Sequence, residues 1–164
     1  CLNESGVKCA FTFTNSLLQE EHLSDKDCNT LMDMAKGNTI ILNSPLLENY
    51  IREKYDGYDI VLSTTRQLST VEQVNEALRQ DYRLVVLDYN MNHDWEVLEQ
   101  LEDKSRCELL VNACCRDNCP QRKEHYTYIS KRQLELHDNI PDSPLLYWLY
   151  NSPAYKPRNY PAGR

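Results

Sequence analysis

The sequence predicts an α/β fold in which parallel strands alternate with helices, a partial or truncated (β/α) barrel of TIM type. Three observations predict it. Short apolar runs alternate with amphipathic stretches through residues 7–136. The runs are apolar throughout, as in sheets covered on both faces, and their alternation with helices implies parallel pairing through right-handed crossovers. Four runs end on Asn43, Ser63, Asp88 and Asn112, separated by 20, 25 and 24 residues, each the length of one βα unit.

The first strand is expected over 7–13, with Cys9, Ala10 and Phe11 in it and Thr14-Asn15 at its end. Ser24 then opens a helix whose first turn holds Asp25 and Asp27, carboxylates placed at the positive end of the helix dipole. Cys28, Leu31, Met32 and Ala35 form its apolar stripe, and Gly37 its C-terminal cap.

The second strand, 39–42, ends at Asn43. Ser44-Pro45 supplies an N-cap and a proline at the first helical position, with Leu46, Leu47, Tyr50 and Ile51 inward. The third strand, 58–62, ends at Ser63-Thr64-Thr65. Ser69 and Glu72 have capping-box spacing, ahead of an inward face of Val71, Val74, Ala77 and Leu78. The fourth strand, 83–87, ends at Asp88, and a helix near Asp94 follows with Trp95, Leu98 and Leu101 inward. The fifth, 107–111, ends at Asn112.

No glycine-rich turn follows any strand, so no nucleotide cofactor is expected and the barrel is preferred over an open doubly wound sheet. The barrel-like domain is expected over 1–136, with about five βα units. Residues 137–164, rich in proline and tyrosine, read as an irregular tail in which only 145–150 has the composition to pack. An eight-unit barrel takes about 250 residues. The 164 residues, beginning at Cys1 without Met, therefore suggest a fragment or processed product.

A net charge of −7 argues against general nucleic-acid binding, which needs a continuous basic surface. No run approaches the ~18 apolar residues of a membrane span and no charged-then-apolar leader opens the chain, so a cytoplasmic, non-membrane protein is expected. Seven cysteines are many for this length, and Cys114, Cys115 and Cys119 crowd into six positions. That crowding points to a metal or redox cluster rather than a disulfide framework.

The carboxyl ends of parallel strands open onto one face, where ligands bind. Asn15, Asn43, Ser63, Asp88 and Asn112 are expected to converge there, although each could instead cap the next helix or hold its own turn. Asp88 follows Leu84-Val85-Val86-Leu87 directly and is the candidate catalytic carboxylate; acting as base, metal ligand or substrate anchor are all open to it. Asn43 and Asn112 are candidate substrate-binding groups. His93 reads as an exposed loop residue.

The densest chemistry lies in 112–126. Thiolates are the soft ligands that zinc and iron–sulfur clusters prefer, so Cys115, Cys119 and the adjacent Cys114 are candidate metal ligands. Buried structural thiols are the alternative reading. Arg122 can pair with a carboxylate or phosphate as a substrate-binding fork, or remain a solvated arginine. His125, at a helix start, is a candidate catalytic acid or base, or a surface histidine.

The run Glu108-Leu109-Leu110-Val111-Asn112 followed by Cys115-x3-Cys119-Pro120-x-Arg122-x-x-His125-Tyr126 resembles a segment of barrel proteins grouped around the peptidase U32 family and its uncharacterised bacterial relatives. The strand ends Asn15-Ser16-Leu17-Leu18 and Asn43-Ser44-Pro45 are similar to those relatives too, and the resemblance covers 7–130. It implies a (β/α) barrel, often with cysteine-bound iron–sulfur centres, in a family that includes collagenase-like peptidases and proteins of oxygen-independent hydroxylation. Carried over by position, Cys115 and Cys119 would be ligands, with Arg122 and His125 beside them. The more extended cysteine pattern of characterised members is absent. Two functions are therefore carried forward: a U32 peptidase-like or iron–sulfur-dependent enzyme acting on an unknown substrate, and a non-catalytic interaction protein. In the second, the cysteines are structural and residues 137–164 bind a partner or another copy of the chain.

Overall fold

The computed structural model describes residues 3–112 and 115–137. The expected irregular tail, 137–164, lies outside them except for its first residue, as does Cys114. By its internal contacts the chain divides into two units, Cys1–Ser130 and Lys131–Arg164, and the sheet belongs to the first.

Five strands form that sheet: β1 (Ala10–Phe13), β2 (Thr39–Leu42), β3 (Asp59–Leu62), β4 (Leu84–Val86) and β5 (Cys107–Glu108). They lie in the order β1-β2-β3-β4-β5, and every neighbouring pair is parallel. Each strand thus pairs with the one before it in sequence, with no reversal of direction across the sheet. A doubly wound sheet reverses at a switch point, whereas a barrel winds continuously. The sheet is an arc of the barrel type that the sequence predicts.

Helices α1 (Lys26–Met34), α2 (Pro45–Lys54), α3 (Val71–Leu78) and α4 (Trp95–Glu99) supply the crossovers, and α5 (Arg122–His137) follows β5. The core lies between the sheet and these helices. Ile40, Leu42, Ile60, Leu62, Val85 and Leu87 come from the strand side of it. Alternation along a strand sends the intervening residues to the opposite face, where Val61 and Val86 are also buried. A sheet buried on both faces is the environment that uniformly apolar strands require.

The predicted caps of α2 and α4 are present. Ser44 accepts from the Leu47 N–H ahead of Pro45, and Asp94 accepts from the Val97 N–H. The α3 cap lies one residue later than the Ser69–Glu72 spacing predicts. Thr70 accepts from the Gln73 N–H, while Gln73 Oε1 accepts in return from the Ser69 N–H at 2.9 Å. Similarly, α1 is capped by Asp25 rather than Ser24, and Gly37, at φ 84°, lies two residues beyond its C-cap, Ala35.

Four expected apolar positions point outward. Trp95 is 74% exposed because α4 is only five residues long and begins at that residue, so it lies before any full turn has formed. In α1 only Met32 is buried, and Cys28 and Leu31 are exposed. The fifth strand pairs only at Cys107 and Glu108, the partners of Val85 and Val86, with a last bond from the Leu87 N–H to the Glu108 carbonyl. Val111, expected within that strand, is 98% exposed.

Candidate thiol site at the carboxyl ends of the strands

Asp88 directly follows the last buried residue of the fourth strand, and its carboxylate first serves its own turn. Oδ1 accepts from the Asn90 N–H at 2.9 Å, capping the 3-10 turn Tyr89–Met91. The same carboxylate receives Arg122 Nη1, at 3.1 Å to Oδ1 and 3.4 Å to Oδ2. Both side chains are only 6% exposed. An ion pair withdrawn from water this far persists only when its remaining donors and acceptors are met. Arg122 Nη2 accordingly donates to Asn90 Oδ1 at 3.2 Å and to the Arg116 carbonyl at 3.0 Å, and the guanidinium lies over the Tyr89 ring at 4.0 Å. Arg122 Nε, also buried, has no hydrogen-bond partner among the described residues.

The loop ahead of α5 is folded onto this pair. Asn118 adopts the left-handed region, at φ 50°, a conformation asparagine tolerates well, and its N–H reaches Asn90 Oδ1 at 2.9 Å. The turn delivers Cys119 to the start of α5, where its carbonyl accepts from the Arg122 N–H. Cys115 and Cys119, both half-buried, flank the stretch of loop tied to Arg122 and Asn90, and the positive charge of Arg122 is felt at both sulfurs.

The two thiols sit in different fields. Burial pushes the Cys115 thiol up, against the opposing pull of Arg122. Cys119 lies below the ordinary thiol value, chiefly because the Gln121 backbone N–H meets its sulfur, with Cys115 and the charges of Arg116 and Arg122 adding to it. Backbone N–H groups at a helix start favour anions, thiolates included. Behind the pair, the Tyr89 and Tyr126 hydroxyls are hydrogen-bonded at 2.5 Å, and burial raises both phenols.

The structure therefore gathers Asp88, Arg122, Cys115 and Cys119, four of the residues singled out in the sequence. His125 lies half-buried on the next turn of α5, and no hydrogen bond joins its imidazole to the cluster among the described residues. Asn43 is buried at the end of β2 and Asn112 is exposed; neither is hydrogen-bonded to the cluster among the described residues. Ser63 takes the capping role, accepting from the Thr65 N–H.

Asn15 does converge on α5, though at its far side: Nδ2 donates to the Ser130 carbonyl at 2.9 Å, while the Ser16 N–H donates to Ser130 Oγ at 3.2 Å. Ser130, Asn90 and the Arg116 carbonyl are site elements that the sequence reading did not assign. Asn90 carried a local signal in its place two residues after Asp88. Ser130, 114 residues from Ser16, carried none.

No family model matches the chain. An uncharacterized protease of Methanocaldococcus jannaschii is 25% identical over 109 residues, which are 63% of this chain and 30% of that protein. The solved structure of the U32 peptidase Mk0906 matches with a TM-score of 0.64 at 18% identity, covering 95% of this chain and 63% of that one. The fold is similar to that of the U32 peptidase, and the expected resemblance is borne out at the level of the fold. The chain spans less than two thirds of either relative. No described helix is long and apolar enough to cross a membrane.

Proposed function

We propose that this chain carries the thiolate centre of a U32-like barrel protein, in which Cys115 and Cys119 supply two soft ligands to an iron–sulfur cluster or a zinc ion. The observation behind this reading is the loop carrying both thiols, tied to the buried Arg122 guanidinium through the Arg116 carbonyl and to Asn90 through the Asn118 N–H. A cluster held by thiolates is anionic, and Arg122 offers it a positive charge and, at Nε, a buried donor without a partner among the described residues.

The residues fit such a group as half of a site. Among the described residues no three His, Cys, Asp or Glu side chains converge as a metal site would require. Cys114, outside the described residues, is the nearest further thiol in sequence. When bound, the group would supply Lewis-acid or one-electron chemistry at the mouth of the sheet. Asp88 is committed to Arg122 and to its own turn, which gives it a positioning role: it holds the guanidinium beside the cysteine loop. By resemblance the reaction is peptidase-like or related to hydroxylation.

The test is iron, sulfide and zinc analysis with an absorption spectrum after anaerobic purification. The expected result is bound metal that is lost in both Cys115→Ser and Cys119→Ser. Metal-free wild-type protein, or metal retained in both variants, would overturn the reading.

A further inference from the structure

A hollow of about 100 Å³ lies between the 3-10 turn Glu20–Ser24, α1 and α2. Buried Met32, Ile51 and Tyr55 line it together with Phe13 and Leu47, and the exposed Cys28 marks its open side. No residue of the Asp88–Arg122 site is part of its wall.

The wall is neutral, with no Asp, Glu, Lys or Arg in it. Most of its polar groups satisfy one another. The Tyr50 and Tyr55 hydroxyls donate to Asn29 Oδ1 at 2.6 and 2.5 Å, and Asn29 Nδ2 donates to the Leu23 and Asp25 carbonyls at 2.9 and 2.6 Å. His22, which also lines the hollow, is different. Its Nδ1 accepts from the Gln19 N–H at 2.9 Å, which places the proton of the neutral imidazole on Nε2. That Nε2–H has no hydrogen-bond partner among the described residues. An apolar recess with a single spare donor suits a ligand with an apolar body and one acceptor oxygen, and a wall without charge suits a neutral one.

We propose that this hollow binds a small neutral alcohol or phenol, its apolar body against Met32, Ile51 and Phe13 and its oxygen accepting from His22 Nε2–H. A closed apolar cavity of about 150 Å³ holds benzene. This smaller hollow is open at Cys28, so one six-membered ring is the largest body it takes, with the oxygen kept toward the open side.

Methionine methyl groups report on the site directly. The chain has three methionines, of which Met32 lines the hollow, Met34 is exposed and Met91 is buried away from it. The full chain labelled with ¹³C-methyl methionine is titrated by NMR with phenol, benzene and benzoate, the signals being assigned through Met34→Leu and Met91→Leu. Phenol should shift the Met32 methyl to saturation and leave Met91 unmoved, and benzoate, whose charge loses its water, should leave Met32 unmoved. His22→Phe keeps a ring but removes the donor, so phenol should bind about three- to tenfold more weakly, the worth of one hydrogen bond, with benzene binding unchanged. Cys28→Phe, a substitution at an exposed position, should close the hollow and abolish the phenol shift. A Met32 shift that fails to saturate or that Met91 shares would overturn the proposal. So would benzoate binding as tight as phenol binding, undiminished phenol affinity in His22→Phe, or a saturable shift that persists in Cys28→Phe.

Discussion

At the scale of single residues, the Asp88–Arg122 pair is where structure and chemistry meet. Removing one member of a buried pair strands the other charge out of water. Asp88→Leu should therefore lower unfolding stability by about 3 to 5 kcal/mol in urea titrations. Adding Arg122→Met to that variant should recover much of the loss, since two apolar side chains leave no charge buried. Equal destabilisation in the single and double variants would show that the pair itself holds the loop. The thiols differ in a way alkylation can read. A lowered Cys119 value means thiolate persists to lower pH, so its alkylation by iodoacetamide should reach half its maximal rate below the pH of an ordinary thiol. Cys28 is exposed as a residue but lines a hollow with Met32 and Tyr50; that desolvation, with Asp25 adding to it, pushes its thiol up to about 11, so it should stay largely unreacted at pH 9. Peptide-resolved alkylation rates across pH 6 to 10 (roughly the ordinary thiol range) test both.

At the scale of elements, α5 ties together strand ends that are far apart in sequence. Its first turn is bound to the end of β4 through Arg122 and Asp88, and Ser130 is bound to the segment after β1 through Asn15 and Ser16. Ser130→Ala removes the acceptor of the Ser16 N–H. Ser16 is itself exposed and its N–H can turn to water, so the loss should be about 0.5 to 1 kcal/mol, the net worth of an ordinary hydrogen bond, measured by urea unfolding. The local helix signals were legible because they depend on neighbours in sequence. Ser44-Pro45 and Asp94 cap α2 and α4 as predicted, since a cap needs only a side-chain oxygen three residues from a free N–H. The Ser69–Glu72 spacing was displaced by one residue because Thr70 and Gln73 offer the same chemistry and define the start of α3.

At the scale of the whole molecule, stability rests on the interior of the arc and not on its open end. Leu42, in the middle of the sheet and fully buried, should cost about 2 to 5 kcal/mol on replacement by alanine. Val111→Ala, at a position the strand pattern also places inward, should change stability by no more than about 0.5 kcal/mol, because it is 98% exposed. Thermal and urea unfolding of the two variants side by side measures this contrast.

The sequence by itself determined the strand–helix alternation, the parallel pairing and the segment rich in thiols, because apolar periodicity, caps and cysteine spacing are local properties. The convergence of Asp88, Arg122, Cys115 and Cys119 was decided only by tertiary structure. Asp88 and Arg122 stand 34 residues apart, and nothing in their neighbours' identities encodes that they meet. Asn43, Asn112 and Asp88 look alike as strand ends in the sequence. Of these three, Asp88 is the one joined to the first turn of α5 among the described residues, through Arg122, because a buried guanidinium requires a carboxylate partner and an asparagine cannot provide its charge.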